Sequence, residues 1–346
     1  MRIEIWADPV CPWAYIGKRR LDRALAGWDG EPVEVVWRPF RIDPTTPVPS
    51  VPHDGSTKEQ LLKGLGIPAE RDSDSDCGDG DGDGDGQACT PGTAPGEQAP
   101  RVAEIAAAEG LGPRWGAAWR ASSHDAHRLL VLARRHGGAA LQHALAEAVM
   151  KAHFTEGRDI GHAETLEQLA AEAGFPEAAA LLAAGGGDQE VKELLLIGRA
   201  RGVATSPTLV VGGRALAGAQ SPETVTAFLR DSAGQPERRL PAEVERLRYA
   251  DALLDRRDPL GALTLLRPLL AEHGDEPGVR LLAARAYFAS AQLGRAASLL
   301  EEIVAESPDD SFARLLLGRT LTRQGRTAEA AVHLSLAAAM TPEYAS

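Results

Sequence analysis

Ala262, Ala296 and Ala330 stand 34 residues apart, and the same step joins Leu247 to Leu281 to Leu315, Leu266 to Leu300 to Leu334, and Pro308 to Pro342. A period of this length leaves a chain few options. Each unit has room for one pair of helices, which cannot bury its apolar face alone, so neighbouring units stack and share a core. Residues 242–344 are therefore expected to form an all-α solenoid of three repeats, the first with Gly274 where the others close on proline. Residues 232–241, polar and carrying two prolines, read as the linker. That leaves residues 1–235 as a second domain, in keeping with the two domains that a length of 346 residues suggests.

The N-terminal part follows a different pattern. Residues 2–6 alternate polar and apolar, as a half-buried strand does. Asp8-Pro9 turns the chain, and Pro12 suits the first position of a helix running to about Ala26. Cys11 would then face the unpaired N–H groups and the positive end of that helix. Both favour thiolate over thiol, and the thiolate is the nucleophile. A dithiol motif would place its second cysteine three residues on, where this chain has Ala14. Residues 33–38 read as a strand. Helical patterns follow over 57–65, 101–109, 123–136, 139–155, 163–173 and 188–201, punctuated at Gly137-Gly138 and Gly174-Phe175-Pro176. Strand character returns at 208–211 and 214–217 around Gly212-Gly213, a hairpin signal, and Ser221-Pro222-Glu223 opens a last helix with a cap and a first-position proline. The order is strand, helix, strand, helical block, hairpin, helix.

Charge narrows the function classes. Residues 70–97 hold nine acids against Arg71, a net of −8 out of −12 for the whole chain. The remainder is nearly balanced, with no basic footprint for nucleic acid. The acidic segment, about 68–100, is expected to stay disordered, because its Asp-Gly repeat and Pro/Thr/Gly tail offer no apolar surface to bury. Asp79 to Gly84 imitates the start of a calcium loop, but Thr90 occupies the place of the bidentate glutamate such a loop requires. His124 and His127 lack the cysteines or carboxylates that would complete a metal site, so no metal is expected. No apolar run is long enough to span a bilayer. Met1 leads straight into strand-like sequence rather than a signal peptide, and three cysteines leave one unpaired in a monomer, which together point to a reducing cytoplasm. Cys77 and Cys89 lie within the acidic segment.

The stretch D-P-V-C-P-W-A-Y-I-G-K-R-R at residues 8–20 resembles the C-P-W-C-Y-I-G-K-R-R signature of the DsbA-like disulfide oxidoreductases, specifically their FrnE-type branch. D-A-H-R-L-L at 125–130, F-T-E-G-R-D-I at 154–160 and G-A-Q-S at 218–221 continue the likeness, which covers about residues 1–235. It implies an α/β thioredoxin-like fold with a helical domain inserted at about 57–201. It further implies Cys11 as the attacking thiol in a motif completed by Pro12, Trp13 and Ala14, and Pro207 as the cis-proline that helps to hold substrate backbone. Thr205 and Ser206 depart from the small apolar pair the family usually places before that proline, which bears on substrate preference. Residues 242–344 resemble tetratricopeptide repeats, whose concave groove commonly takes peptide segments.

With Ala14 in place of a second cysteine, the resemblance implies a thiol–disulfide oxidoreductase or isomerase acting through one cysteine on disulfide- or thiol-bearing substrates. A Cys11 mixed disulfide would then be resolved by glutathione or another small thiol, by a second substrate thiol, or by Cys77 or Cys89. No bound cofactor is implied beyond glutathione as reductant or co-substrate. Two other readings stand beside it: a catalytically degenerate scaffold that binds proteins through the repeats, and a glutathione-dependent enzyme of the kappa-class transferase or hydroxychromene-carboxylate isomerase type, within the same superfamily.

Overall fold

A computed structural model describes residues 1–53, 102–233 and 240–345. The helix expected over 57–65, the acidic segment with Cys77 and Cys89, and most of the 232–241 linker lie outside the described residues.

Strand β1 (Arg2–Ala7), helix α1 (Pro12–Ala26) and strand β2 (Glu34–Pro39) form the first unit. β1 and β2 run parallel with Ile3 opposite Val35 and Ile5 opposite Trp37, so the connection must be a crossover, and α1 supplies it. Strands β3 (Val51–Pro52) and β4 (Trp119–Arg120) make a small separate ribbon. Between them in sequence lies helix α2 (Val102–Ala108). Helix α3 (His124–Phe154), α4 (Ala163–Glu172), α5 (Ala178–Ala183) and α6 (Asp188–Ala200) make the helical block. Strands β5 (Thr208–Val211) and β6 (Arg214–Ala217) then form the hairpin through Gly212 and Gly213, and α7 (Pro222–Ser232) follows. Ser221 caps α7 by accepting a hydrogen bond from the Thr224 N–H. The sheet order is β2-β1-β5-β6, with β5 antiparallel to β1. A parallel strand–helix–strand unit joined to an antiparallel hairpin by a helical block is a thioredoxin-like sheet.

α3 is two helices in sequence terms, and the break lies where the glycine pair predicts it. Gly138 sits at φ 70°, ψ −161°, a conformation that is essentially glycine-only. The turn lets α3 wrap the exposed edge of β2. Its first half reaches Glu34 through Arg134 at 2.7 Å. Its second half presents Gln142, whose carboxamide accepts from the Trp37 N–H at 2.9 Å and donates to the Trp37 carbonyl at 3.0 Å. An edge strand would otherwise leave those groups unpaired, and one buried side chain satisfies both. Beneath this edge, Ile3, Ile5, Ile16, Leu21, Leu129 and Leu145 fill a common core. The short α5 has no counterpart among the sequence expectations: six residues of alanine and leucine carry too little periodicity to stand out.

Helices α8 (Ala242–Asp255), α9 (Pro259–Glu272), α10 (Pro277–Ala289), α11 (Leu293–Glu306), α12 (Ser311–Arg323) and α13 (Thr327–Met340) form three antiparallel pairs. The periodic alanines and leucines explain the pairing, since Ala262, Ala296, Ala330, Leu266 and Leu300 are all buried. In the third repeat Leu334 is only partly covered, while Val332, Leu336 and Met340 are exposed. The solenoid docks on the helical block. Leu196, Ile197 and Ala200 of α6 pack into the core of the first repeat, flanked by Arg246–Glu193 at 2.8 Å and Arg199–Asp258 at 2.6 Å. Among the described residues, no helix is long and apolar enough to cross a membrane.

Candidate active site

Cys11 is the N-cap of α1, in extended backbone just ahead of Pro12. Its N–H donates to the Asp8 carbonyl at 2.9 Å, and its own carbonyl accepts from the Ala14 N–H at 2.9 Å, so the thiol loop is a closed turn clamped onto the helix start. The Sγ donates to the Ser206 carbonyl at 3.4 Å across 195 residues of sequence. The Ser206–Pro207 peptide is cis, and the Pro207 carbonyl accepts from the Gly218 N–H at 2.7 Å. A Cβ at Gly17 would lie 2.8 Å from the Pro207 ring. The lack of one at this position is what lets α1 and the proline loop meet.

The sequence-expected residues therefore gather unevenly. Cys11, Ser206 and Pro207 converge. Ala14 is fully buried behind the thiol. Thr205 is exposed at the loop, where its carbonyl accepts from the Thr208 hydroxyl at 2.8 Å. Trp13 is 37 % exposed at the rim.

The electrostatics also differ from the sequence expectation. Cys11 is only 5 % exposed, and burial pushes its thiol above the ordinary range. Hydrogen bonding at Ser206 and from the backbone at Ala14 and Trp13 pulls the other way, and the Asp8 charge adds to the rise. Magnitudes decide the balance. A helix end is worth only ~0.3–1 kcal/mol to an anion, and burial is the largest influence on this thiol. Burial thus works against the thiolate that the helix start favours.

Two residues beneath the thiol are not legible as site residues in the sequence. Asp8, which the sequence marks only as part of a turn, is 1 % exposed. Its carboxylate accepts from the Val10 N–H at 3.3 Å and the Ile42 N–H at 2.8 Å, and its own N–H donates to the Ser206 hydroxyl at 2.9 Å. His127, whose spacing from His124 suggests only a metal pair, is 2 % exposed. Its Nε2 lies 2.9 Å from the Phe40 carbonyl and 3.9 Å from Asp8 Oδ1, and burial holds its pKa below the ordinary value. The neutral ring thus donates from Nε2 to Phe40. His124 turns away to Asp188 at 2.8 Å. The one available signal was the presence of Asp8 and His127 in two segments of the same family likeness, and nothing local in the sequence places them together. Among the described residues, no cluster of three metal-ligating side chains occurs.

Comparison with known proteins agrees with this geometry. The DSBA-like thioredoxin domain model matches residues 2–65 and 92–230, and the tetratricopeptide repeat model matches 253–311 and 288–346. The chain belongs to the DsbA-like thioredoxin domain family and carries C-terminal tetratricopeptide repeats. Among solved structures it is similar to a probable DsbA oxidoreductase from Streptomyces coelicolor, with 28 % identity, a TM-score of 0.50, and coverage of 70 % of this chain and 94 % of that one. It also matches the cytosolic disulfide reductase DsbM from Pseudomonas aeruginosa at 19 % identity and a TM-score of 0.42, covering 67 % and 98 %. A 2-hydroxychromene-2-carboxylate isomerase matches at 14 % identity and a TM-score of 0.41, covering 67 % and 94 %. No curated protein matches.

Proposed function

We propose that this chain is a thiol–disulfide oxidoreductase or isomerase of the FrnE-type branch that works through Cys11 alone, with Pro12, Trp13, Ala14, Thr205, Ser206 and Pro207 forming the surface against substrate. The observation that carries this reading is the 3.4 Å contact between the Cys11 sulfur and the carbonyl just ahead of cis-Pro207. That contact puts the thiol beside a backbone segment able to align a substrate strand. Cys11, its thiol proton lost to solvent, attacks as thiolate on one sulfur of a substrate disulfide, forming the Cys11 mixed disulfide and releasing the other sulfur as thiolate. A glutathione-class thiolate or a second substrate thiolate then attacks the substrate sulfur of that bond, forming a new disulfide with it and expelling Cys11 as thiolate. The unpaired cysteine count suits a cytoplasmic setting, and the division into residues 1–235 and 242–344 assigns chemistry to the first part and partner binding to the second.

The test is trapping of a mixed disulfide with a scrambled, disulfide-bonded protein, read by mass spectrometry. Wild type should give an adduct on the peptide containing Cys11, and Cys11→Ser should lose both the adduct and the exchange rate. Exchange that survives Cys11→Ser unchanged would sink the proposal. The burial of Cys11, which raises its thiol, favours a second reading, in which the thioredoxin-like part is catalytically quiet and the repeats bind a protein partner. An adduct absent from wild type, with partner capture that is indifferent to Cys11, would establish it.

A further inference from the structure

We propose that the cleft between the central sheet and the first repeat helix is a binding site for a small organic anion bearing two or more carboxylate or phosphate groups. The cleft has a volume of about 620 Å³ and is bounded by β1, β2, the β5–β6 turn, α6 and α8. Small-molecule sites commonly have this size and form where domains meet. Its position is independent of Cys11, so the proposal stands whether or not the chain is an oxidoreductase.

The charges on its walls do not close. Arg2, Arg38, Arg201 and Arg248 face Glu4 and Glu245, an excess of two positive charges in a chain whose net charge is −12. Three of the guanidinium groups converge on one carboxylate. Glu4 takes Arg38 at 2.7 Å, Arg2 at 3.5 Å, and Arg201 on its other oxygen. One carboxylate cannot neutralise three guanidinium groups or use their donors, five on each. The Arg2 Nε is buried with no hydrogen-bond partner. The Arg38 and Arg201 side chains are only about one-fifth exposed, and partly buried like charge that one carboxylate does not offset opposes folding. A ligand with acidic groups at two ends answers both features. One end meets the Arg2, Arg38 and Arg201 group on the sheet, and the other meets Arg248 on α8, each able to grip it with paired N–H donors. The walls are held at fixed separation by the Arg246–Glu193 and Arg199–Asp258 pairs and by the packing of Ile197 and Ala200.

Calorimetric titration of the full chain with inorganic pyrophosphate and, separately, citrate, at constant ionic strength, tests this. Saturable one-site binding of either is expected, and the stronger of the two identifies phosphate or carboxylate as the natural acid group. Arg248→Glu, an exposed substitution outside the Cys11 site, should weaken binding at least tenfold. Glu245→Gln, which removes a negative charge, should tighten it. The absence of saturable binding by both probes would overturn the proposal, and so would affinities that neither substitution changes.

Discussion

At the residue scale, the surroundings of Cys11 are what the proposed chemistry depends on. Burial raises the thiol and the Asp8 carboxylate raises it further, so the alkylation rate at Cys11 should climb with pH and reach its midpoint above the free-thiol value of about 8.5. Asp8→Asn removes the charge while keeping a side-chain acceptor for the turn, and should bring that midpoint down. A midpoint that stays put would show that Asp8 does not act on the sulfur. His153 gives a separate handle on stability. It is buried, its Nδ1 has no hydrogen-bond partner, and burial holds its pKa at about 4. The unfolded chain protonates this ring near pH 6.5, so between about 6.5 and 4 the unfolded state binds the extra proton. Stability is complete above that window and falls as pH drops through it, by about 3 kcal/mol from this residue alone. His153→Leu should flatten the denaturation midpoint over that range, while the lowered carboxylates Glu4 and Asp22 keep their effect at lower pH. The sequence disclosed the thiol, the helix start and the proline loop. It could not disclose burial, because the cover over Cys11 comes from Ser206, almost two hundred residues away, and helix-end reasoning counts only local dipoles.

At the element scale, legibility followed locality. The β5–β6 hairpin, the Ser221 cap and the break in α3 all matched expectation, because each depends on two to four adjacent residues. The β3–β4 ribbon did not stand out, because its two-residue strands pair Val51 with Arg120 across an intervening helix. The α3 break also makes a testable demand. Gly138→Ala places a Cβ in a backbone region closed to alanine and should cost about 1–3 kcal/mol, read as a lower urea midpoint. No steric neighbour lies within 4 Å of that added carbon, so any loss reports the backbone alone. An unchanged midpoint would mean that the two halves of α3 can join as one straight helix.

At the scale of the whole molecule, the 34-residue period makes the solenoid legible in the sequence alone, since a repeat is written into the spacing of its residues. The docking of that solenoid on α6 is not legible, because Leu196, Ile197 and Ala200 read as ordinary apolar positions of an amphipathic helix. Ile197 is one of the residues that make that contact. Ile197→Asp puts a charge into an apolar seam, and calorimetric unfolding should then resolve into two transitions where the wild type shows one. A single transition in the variant would mean that other contacts, such as Arg199–Asp258, suffice to couple the two parts.

The helix gripped by the repeats is also the one that hands the chain on to Ser206 and Pro207. α6 ends at Ala200, and the loop that touches the sulfur begins almost at once. A load placed on the solenoid, such as a partner pulling or pressing on its groove, therefore bears on a short lever whose far end rests against the thiol. The repeats in this chain are fastened to the helix that leads into the cis-proline loop rather than trailing from it as a passive tag.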